Sequence, residues 1–165
     1  MRGTNGSIDR ADWHYGGDYP NELPKENGGT HIGMYINWII DNGLIGETHL
    51  KNSEKGIKDV KDRKITGRDF LFQYCDEKFW EEDLNEEGLA FTRYYYQNQN
   101  DPEEQYGEFI DDYLKILGTE FKSLYEIPNS WDNYTKISQQ INKAYKKWKR
   151  RSIKKPWQFW KNNKK

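Results

Sequence analysis

The run Thr30-His31-Ile32-Gly33-Met34-Tyr35-Ile36-Asn37-Trp38-Ile39-Ile40-Asp41-Asn42-Gly43 is the longest apolar-rich stretch in an otherwise polar chain. It limits the available folds more than any other feature. Ile32, Tyr35, Ile36, Ile39 and Ile40 recur at helical spacing and share one face. Thr30 is placed to cap the first turn, and Asn42-Gly43 supplies a residue tolerant of positive φ where the helix stops. The pattern predicts a central buried helix over residues 31–42. Gly33 weakens such a helix by roughly 1 kcal/mol relative to Ala. A close approach of another backbone, or of the aromatic N-terminal segment, would account for it.

The material for a core around this helix is aromatic. Leu, Ile, Val and Phe together make just under a fifth of the 165 residues, a fraction that alone points to disorder. Against that, seven Trp, twelve Tyr and seven Phe are spread along the chain and the net charge is only −1. Each ring buries a large area. A single Val argues against a large sheet. The length fits one domain.

The expected architecture is therefore a mainly α, single globular domain of about six helices around helix 31–42. Residues 1–8 read as a flexible leader, 9–151 as the domain and 152–165 as a basic aromatic tail. A turn-rich segment up to Gly29 is expected to wrap the central helix, with Trp13 and Tyr15 packed on it. A polar helix follows over 52–63. Thr66-Gly67-Arg68-Asp69 has the form of a capping box and opens the next. Further helices are expected over 86–97, from Pro102 through the stripe Tyr106 to Leu117 closed by Gly118, and over 131–151.

Trp13-His14-Tyr15, Tyr19-Pro20, Thr30-His31-Ile32-Gly33-Met34 with Trp38, and Asp41-Asn42-Gly43-Leu44 together resemble an uncharacterised family of small bacterial cytosolic proteins. Gly67-Arg68-Asp69-Phe70-Leu71, Cys75-Asp76-Glu77-Lys78-Phe79 and Tyr94-Tyr95 extend the likeness over roughly residues 9–125. Tyr35 stands where the family usually has Phe. The resemblance brings no activity with it. Some members look like neighbours of secreted toxin genes, which implies a role as an immunity protein. The basic C-terminal end has no counterpart in it.

Three histidines are present. His14 and His31 sit in aromatic, turn-flanked settings and would meet if the N-terminal segment packs on the central helix. They then form an acid/base pair, half of a metal site, or structural groups that each bond a backbone carbonyl or a carboxylate. His49 lies in a polar stretch and reads as solvated. Cys75 is the one cysteine, which excludes a disulfide framework and reads as a small core residue. No His or Cys pair has ligand spacing, so no metal or cofactor is expected. Adjacent acids such as Glu81-Glu82-Asp83 do not face one another on a helix and read as a solvated acidic bend. No glycine-rich phosphate loop and no nucleophile with an obvious base is visible.

Charge is distributed unevenly. Residues 136–165 hold twelve Lys and Arg and no acid. The first 135 hold fourteen basic and twenty-seven acidic groups. The basic end suggests nucleic-acid binding through Lys146, Lys147, Lys149, Arg150, Arg151, Lys154, Lys155, Trp157 and Trp160, by charge and stacking. It suits docking back onto the acidic body better still, and the same composition also fits an anionic membrane surface or a protein partner. No stretch approaches the length that spans a bilayer, and no apolar run follows the N-terminus, so a cytoplasmic location is expected.

The leading expectation is a non-enzymatic protein-binding protein, specifically an immunity protein that masks the active site of a toxin. Its contacts would be Trp13, His14, Tyr15, Asp18 and His31, with Glu81, Glu82 and Asp83 on the acidic bend. The alternatives are nucleic-acid binding through the basic end and a small enzyme using His14 and His31.

Overall fold

A computed structural model describes residues 6–99, 101 and 106–161, with 154–161 described as backbone only. The chain is a mainly α single domain carrying a minor two-stranded sheet. In chain order the elements are β1 (Ser7–Arg10), α1 (Ala11–Tyr15), α2 (Thr30–Asp41), α3 (Glu47–Asn52), α4 (Glu54–Lys61), α5 (Gly67–Tyr74), β2 (Lys78–Trp80), α6 (Glu86–Tyr95), α7 (Glu108–Leu117) and α8 (Trp131–Lys161). Short 3-10 turns lie at Lys25–Gly29, Glu81–Asp83 and Leu124–Glu126.

α2 is the central helix, and every residue from Thr30 to Ile40 is buried. A helix enclosed on all sides must also satisfy its polar positions. Asn37 does so by accepting from the Gly67 amide at 3.0 Å, while its own amide donates to Asp41 at 3.2 Å. Gly67 opens α5, and the two helices cross at paired glycines. A Cβ on Gly33 would lie 2.4 Å from the Arg68 backbone, and one on Gly67 would lie 1.9 Å from the Gly33 carbonyl. The close approach expected at Gly33 is therefore made by the start of α5, and not by the aromatic N-terminal segment. The expected capping box is present: the Thr66 hydroxyl accepts from the Asp69 amide, and the Asp69 carboxylate accepts from the Thr66 amide.

The core is aromatic. Tyr35, Tyr96 and Phe109 pack with ring centroids 4.9–5.1 Å apart. Trp38 lies 5.4 Å from Phe91 and 5.3 Å from Tyr145, and its indole N–H donates to Asn142 at 2.8 Å. α8 closes this core with Tyr134, Ile137, Ile141 and Ala144, all buried.

Several boundaries differ from the sequence reading. Ser7 and Ile8 are not part of a leader: they lie in β1, antiparallel to β2, where Ser7 pairs with Trp80 and Ile8 is buried. Thr30 is the first residue of α2 and not its cap; its hydroxyl accepts from Arg68 at 3.1 Å. The helix expected over 52–63 is α4, Glu54–Lys61, and the stretch before it, which carries no apolar period, forms the further short helix α3, Glu47–Asn52. The helix start expected at Pro102 lies outside the described residues, and α7 begins at Glu108. The last helix, expected to end at Arg151, continues as α8 to Lys161 and takes in the first ten residues of the basic aromatic tail. Its thirty-one residues make a rod of about 46 Å.

Candidate functional site

The pairing of β1 with β2 shifts register between Ser7 and Asp9. Such an irregularity re-aims side chains, and here Ile8 and Asp9 both face inward. α1 follows at once, anchored by the Ala11 amide donating to the Glu77 carbonyl at 3.0 Å. This short helix turns His14 toward the first turn of α2, where His31 sits. The two imidazoles meet edge to face with centroids 4.5 Å apart. Trp13 points the other way and is 44% exposed, under the Arg10 guanidinium 5.7 Å from its ring. Trp13 is therefore not packed on the central helix. Tyr15 is half-buried, and its hydroxyl donates to Glu77 at 2.8 Å. Asp18 is exposed.

Asp9 is the hub of the cluster. Its carboxylate is fully buried and faces four donors: the Arg10 amide at 2.8 Å, His14 Nε2 at 2.9 Å, His31 Nε2 at 3.3 Å and the Tyr96 hydroxyl at 2.6 Å. Tyr125 donates to His14 Nδ1 at 2.9 Å, which fixes that ring's orientation. Burial alone pushes the Asp9 carboxyl upward, but the hydrogen bonds and charge from His14 and His31 outweigh it and hold the group well below the usual carboxylate range. Burial holds His31 below its ordinary range, against the pull of Asp9. Burial and then the Asp9 charge raise Tyr96 well above the ordinary phenol.

The arrangement is an anion held in a closed polar cage, with His31 fully buried and His14 only 8% exposed. His31 Nδ1 and the Tyr113 hydroxyl have no partner among the described residues. Chemically, Tyr125, His14, Asp9 and Tyr96 form a continuous hydrogen-bonded chain able to pass a proton. The donor atoms of Asp9, His14 and His31 also lie within 4.8 Å of one another, a set that suits a divalent ion. Sequence reasoning singled out both histidines but missed Asp9, Tyr96 and Tyr125. They sit one on a strand, one at a helix end and one in a turn, and no local pattern marks them.

The acidic bend divides. Glu82 is exposed, and Glu81 pairs with Arg93 at 2.8 Å. Both line a recess of about 320 Å³ with Gly6 and Trp80. Asp83 is not part of a solvated face: it is buried, accepting from the Trp80 amide at 2.6 Å and lying 2.7 Å from His49 Nε2. His49, expected in solvent, is buried as well.

The basic residues of α8 also divide. Lys149 pairs with Glu87, and Arg151 donates to the Tyr94 hydroxyl at 3.1 Å. Lys146, Lys147 and Arg150 are exposed. The side chains of Lys154, Lys155, Trp157 and Trp160 lie outside the described residues. No helix of the described residues is long and apolar enough to cross a membrane.

A second recess, of about 350 Å³, was not foreseen from the sequence. It lies between the end of α2 and the start of α8. Trp131, Tyr134, Arg63, Asp41, Thr135 and Ser138 line it. The Arg63 guanidinium stacks 5.0 Å from the Trp131 ring and 5.4 Å from that of Tyr134, and it pairs with Asp41 at 2.8 Å.

Taken together, these features define a small helical domain built on a buried histidine–carboxylate hub. The chain belongs to a family described as a domain of unknown function, DUF7832, which it matches over residues 7–127. The match takes in the whole Asp9 cluster and ends before α8. No curated protein and no solved structure matches the chain.

Proposed function

We propose that this protein acts by binding another protein. The observation that carries the reading is the open recess at the junction of α2 and α8, where the exposed Arg63 guanidinium packs on the half-buried Trp131 ring and on the buried Tyr134 ring that floors it. Trp, Tyr and Arg are the residue types that anchor protein interfaces, because they combine large apolar area with a fixed polar group. The histidines and the cysteine, by contrast, are enclosed. Within this class we favour an immunity-type role, in which the domain covers the working surface of a toxin. The excess of acidic side chains in the first 135 residues supports a basic partner, and complementary charge speeds encounter. Trp13, Asp18 and Glu82 are exposed as well, apart from the residues that line this recess. The test is capture from the native host by the full chain at moderate salt. One stoichiometric protein is expected, and Ser138→Arg, which fills the recess, should release it. Recovery of no protein, or capture indifferent to Ser138→Arg, refutes the reading.

A second reading, nucleic-acid binding, draws on the continuation of α8 as a helix to Lys161 with Lys146, Lys147 and Arg150 exposed. It requires affinity for a labelled duplex or single strand that falls steeply with salt. That affinity should vanish in a chain ending after Arg151 or carrying Lys146→Glu and Lys147→Glu. Salt-independent binding counts against it.

A further inference from the structure

Outside the Asp9 hub, a second group of ionisable side chains converges. His49 comes from α3, Cys75 from the residue that ends α5, and Asp83 from the 3-10 turn after β2. All three are buried. His49 Nε2 lies 2.7 Å from Asp83 Oδ1 and 3.7 Å from Cys75 Sγ. Thus a carboxylate oxygen and a sulfur approach the same ring nitrogen, which carries at most one proton and satisfies only one of them. A Cys–His–Asp relay would use the two nitrogens separately, with the acid on one and the nucleophile on the other. Here Nδ1 is engaged elsewhere, 2.9 Å from the Ser53 hydroxyl.

We infer that His49, Cys75 and Asp83 form a binding site for one divalent transition-metal ion of the zinc type, separate from the protein-binding role. An imidazole, a thiolate and a carboxylate are the donor set of zinc sites. For a tetrahedral ion with ordinary zinc bond lengths, the sulfur-to-nitrogen edge is about 3.6 Å, against 3.7 Å here. The nitrogen-to-oxygen edge is about 3.3 Å, so the His49–Asp83 contact of 2.7 Å opens by roughly 0.6 Å as the ion takes the place of the shared proton. The groups that orient the ligands are already in place. Ser53 fixes the His49 ring, and the Trp80 amide fixes the second Asp83 oxygen at 2.6 Å.

Charge balance favours the ion. A dication with one thiolate and one carboxylate is neutral overall, which suits a buried position. On binding, the imidazole proton moves from Nε2 to Nδ1, where it donates to Ser53. The thiol proton leaves to solvent, and water takes the fourth position. The ion would tie α3, the end of α5 and the turn before α6 to one point.

The test uses the full chain, unfolded and refolded with cobalt(II) as the probe and then titrated with zinc. One cobalt per chain is expected, with a thiolate-to-cobalt charge-transfer band and the strong visible bands of a four-coordinate ion. Zinc should displace it. Because Cys75 is the only cysteine, the charge-transfer band by itself identifies the ligand, even if a variant fails to fold. Cys75→Ser should abolish the band, and Ser53→Ala should weaken binding by about 10- to 100-fold. A folded wild-type chain without the charge-transfer band, or cobalt bound with the same spectrum by Cys75→Ser, overturns the assignment.

Discussion

Replacing Asp9 by Asn tests the hub directly, because it keeps the volume and removes the charge. The Asp9 carboxylate accepts from the Arg10 amide and lies within bonding distance of His14 Nε2 on one oxygen. The other oxygen faces His31 Nε2 and the Tyr96 hydroxyl. Asn has one accepting oxygen and one donating nitrogen. Either orientation leaves two donors facing an N–H₂ group in a site with no solvent, since Asp9 is fully buried. Each lost hydrogen bond to a charged group is worth about 1.5–3 kcal/mol. Partial relaxation and rotation of the Tyr96 hydroxyl recover some of this, so a net loss of about 3–5 kcal/mol is expected, as for breaking a buried charged pair. For a domain of this size that corresponds to a fall in Tm of very roughly 10 °C. Urea denaturation followed by tryptophan fluorescence measures it, with circular dichroism as a second probe of two-state behaviour. A loss below about 1 kcal/mol would refute the argument that the four donors depend on this carboxylate. Tyr96→Phe combined with Asp9→Asn should then be strongly non-additive, since both touch one oxygen.

Acid should destabilise the fold in two windows. Burial holds His31 below its ordinary range. As pH falls below about 6.5 the unfolded chain therefore binds a proton that the native chain refuses, and stability drops by at most about 1.4 kcal/mol per pH unit. Below about pH 4 Asp9 acts in the same direction, because its depressed carboxyl binds its proton later in the native state than in the unfolded one. His31→Gln should remove the difference in stability between pH 7 and pH 5 that this residue causes; an identical slope in that variant would contradict the assignment. Gly33→Ala should destabilise by about 2 kcal/mol in spite of its better helix propensity, since the new methyl would meet the Arg68 backbone at 2.4 Å; an unchanged urea midpoint would mean the helices separate freely. A chain ending after Asn129 should lose cooperative unfolding, because Tyr134, Ile137 and Ile141 of α8 complete the core; a sharp calorimetric transition in that chain would show α8 to be peripheral.

Local patterns in the chain were sufficient for the longer helices, but α1 and α3, five and six residues long, carry no period to mark them. The period of the 30–43 run, the Thr66–Asp69 capping box and the Tyr134-Ile137-Ile141 stripe each act over a few residues, where spacing alone sets which side chains share a face. The small residue at Gly33 announced a close approach, but not that Gly67 would meet it. Of the non-local features only the meeting of His14 and His31 was anticipated, on the condition that the N-terminal segment packs on α2. β1 and β2 are each too short to carry an alternating pattern, and they form only by pairing across about seventy residues. Their pairing turns Asp9 inward, and only then do His14, His31, Tyr96 and Tyr125 acquire a common partner. His49, Cys75 and Asp83 read as solvated, core and acidic in isolation, and become one cluster because three separate elements end at the same place. Sequence by itself determined the longer helices and most of the rings that build the core, since periodicity and side-chain size are local properties; it did not determine the short helices α1 and α3 or the outward turn of Trp13. Tertiary structure alone decided which polar groups meet, because a buried charge is tolerated only where distant parts of the chain bring it partners.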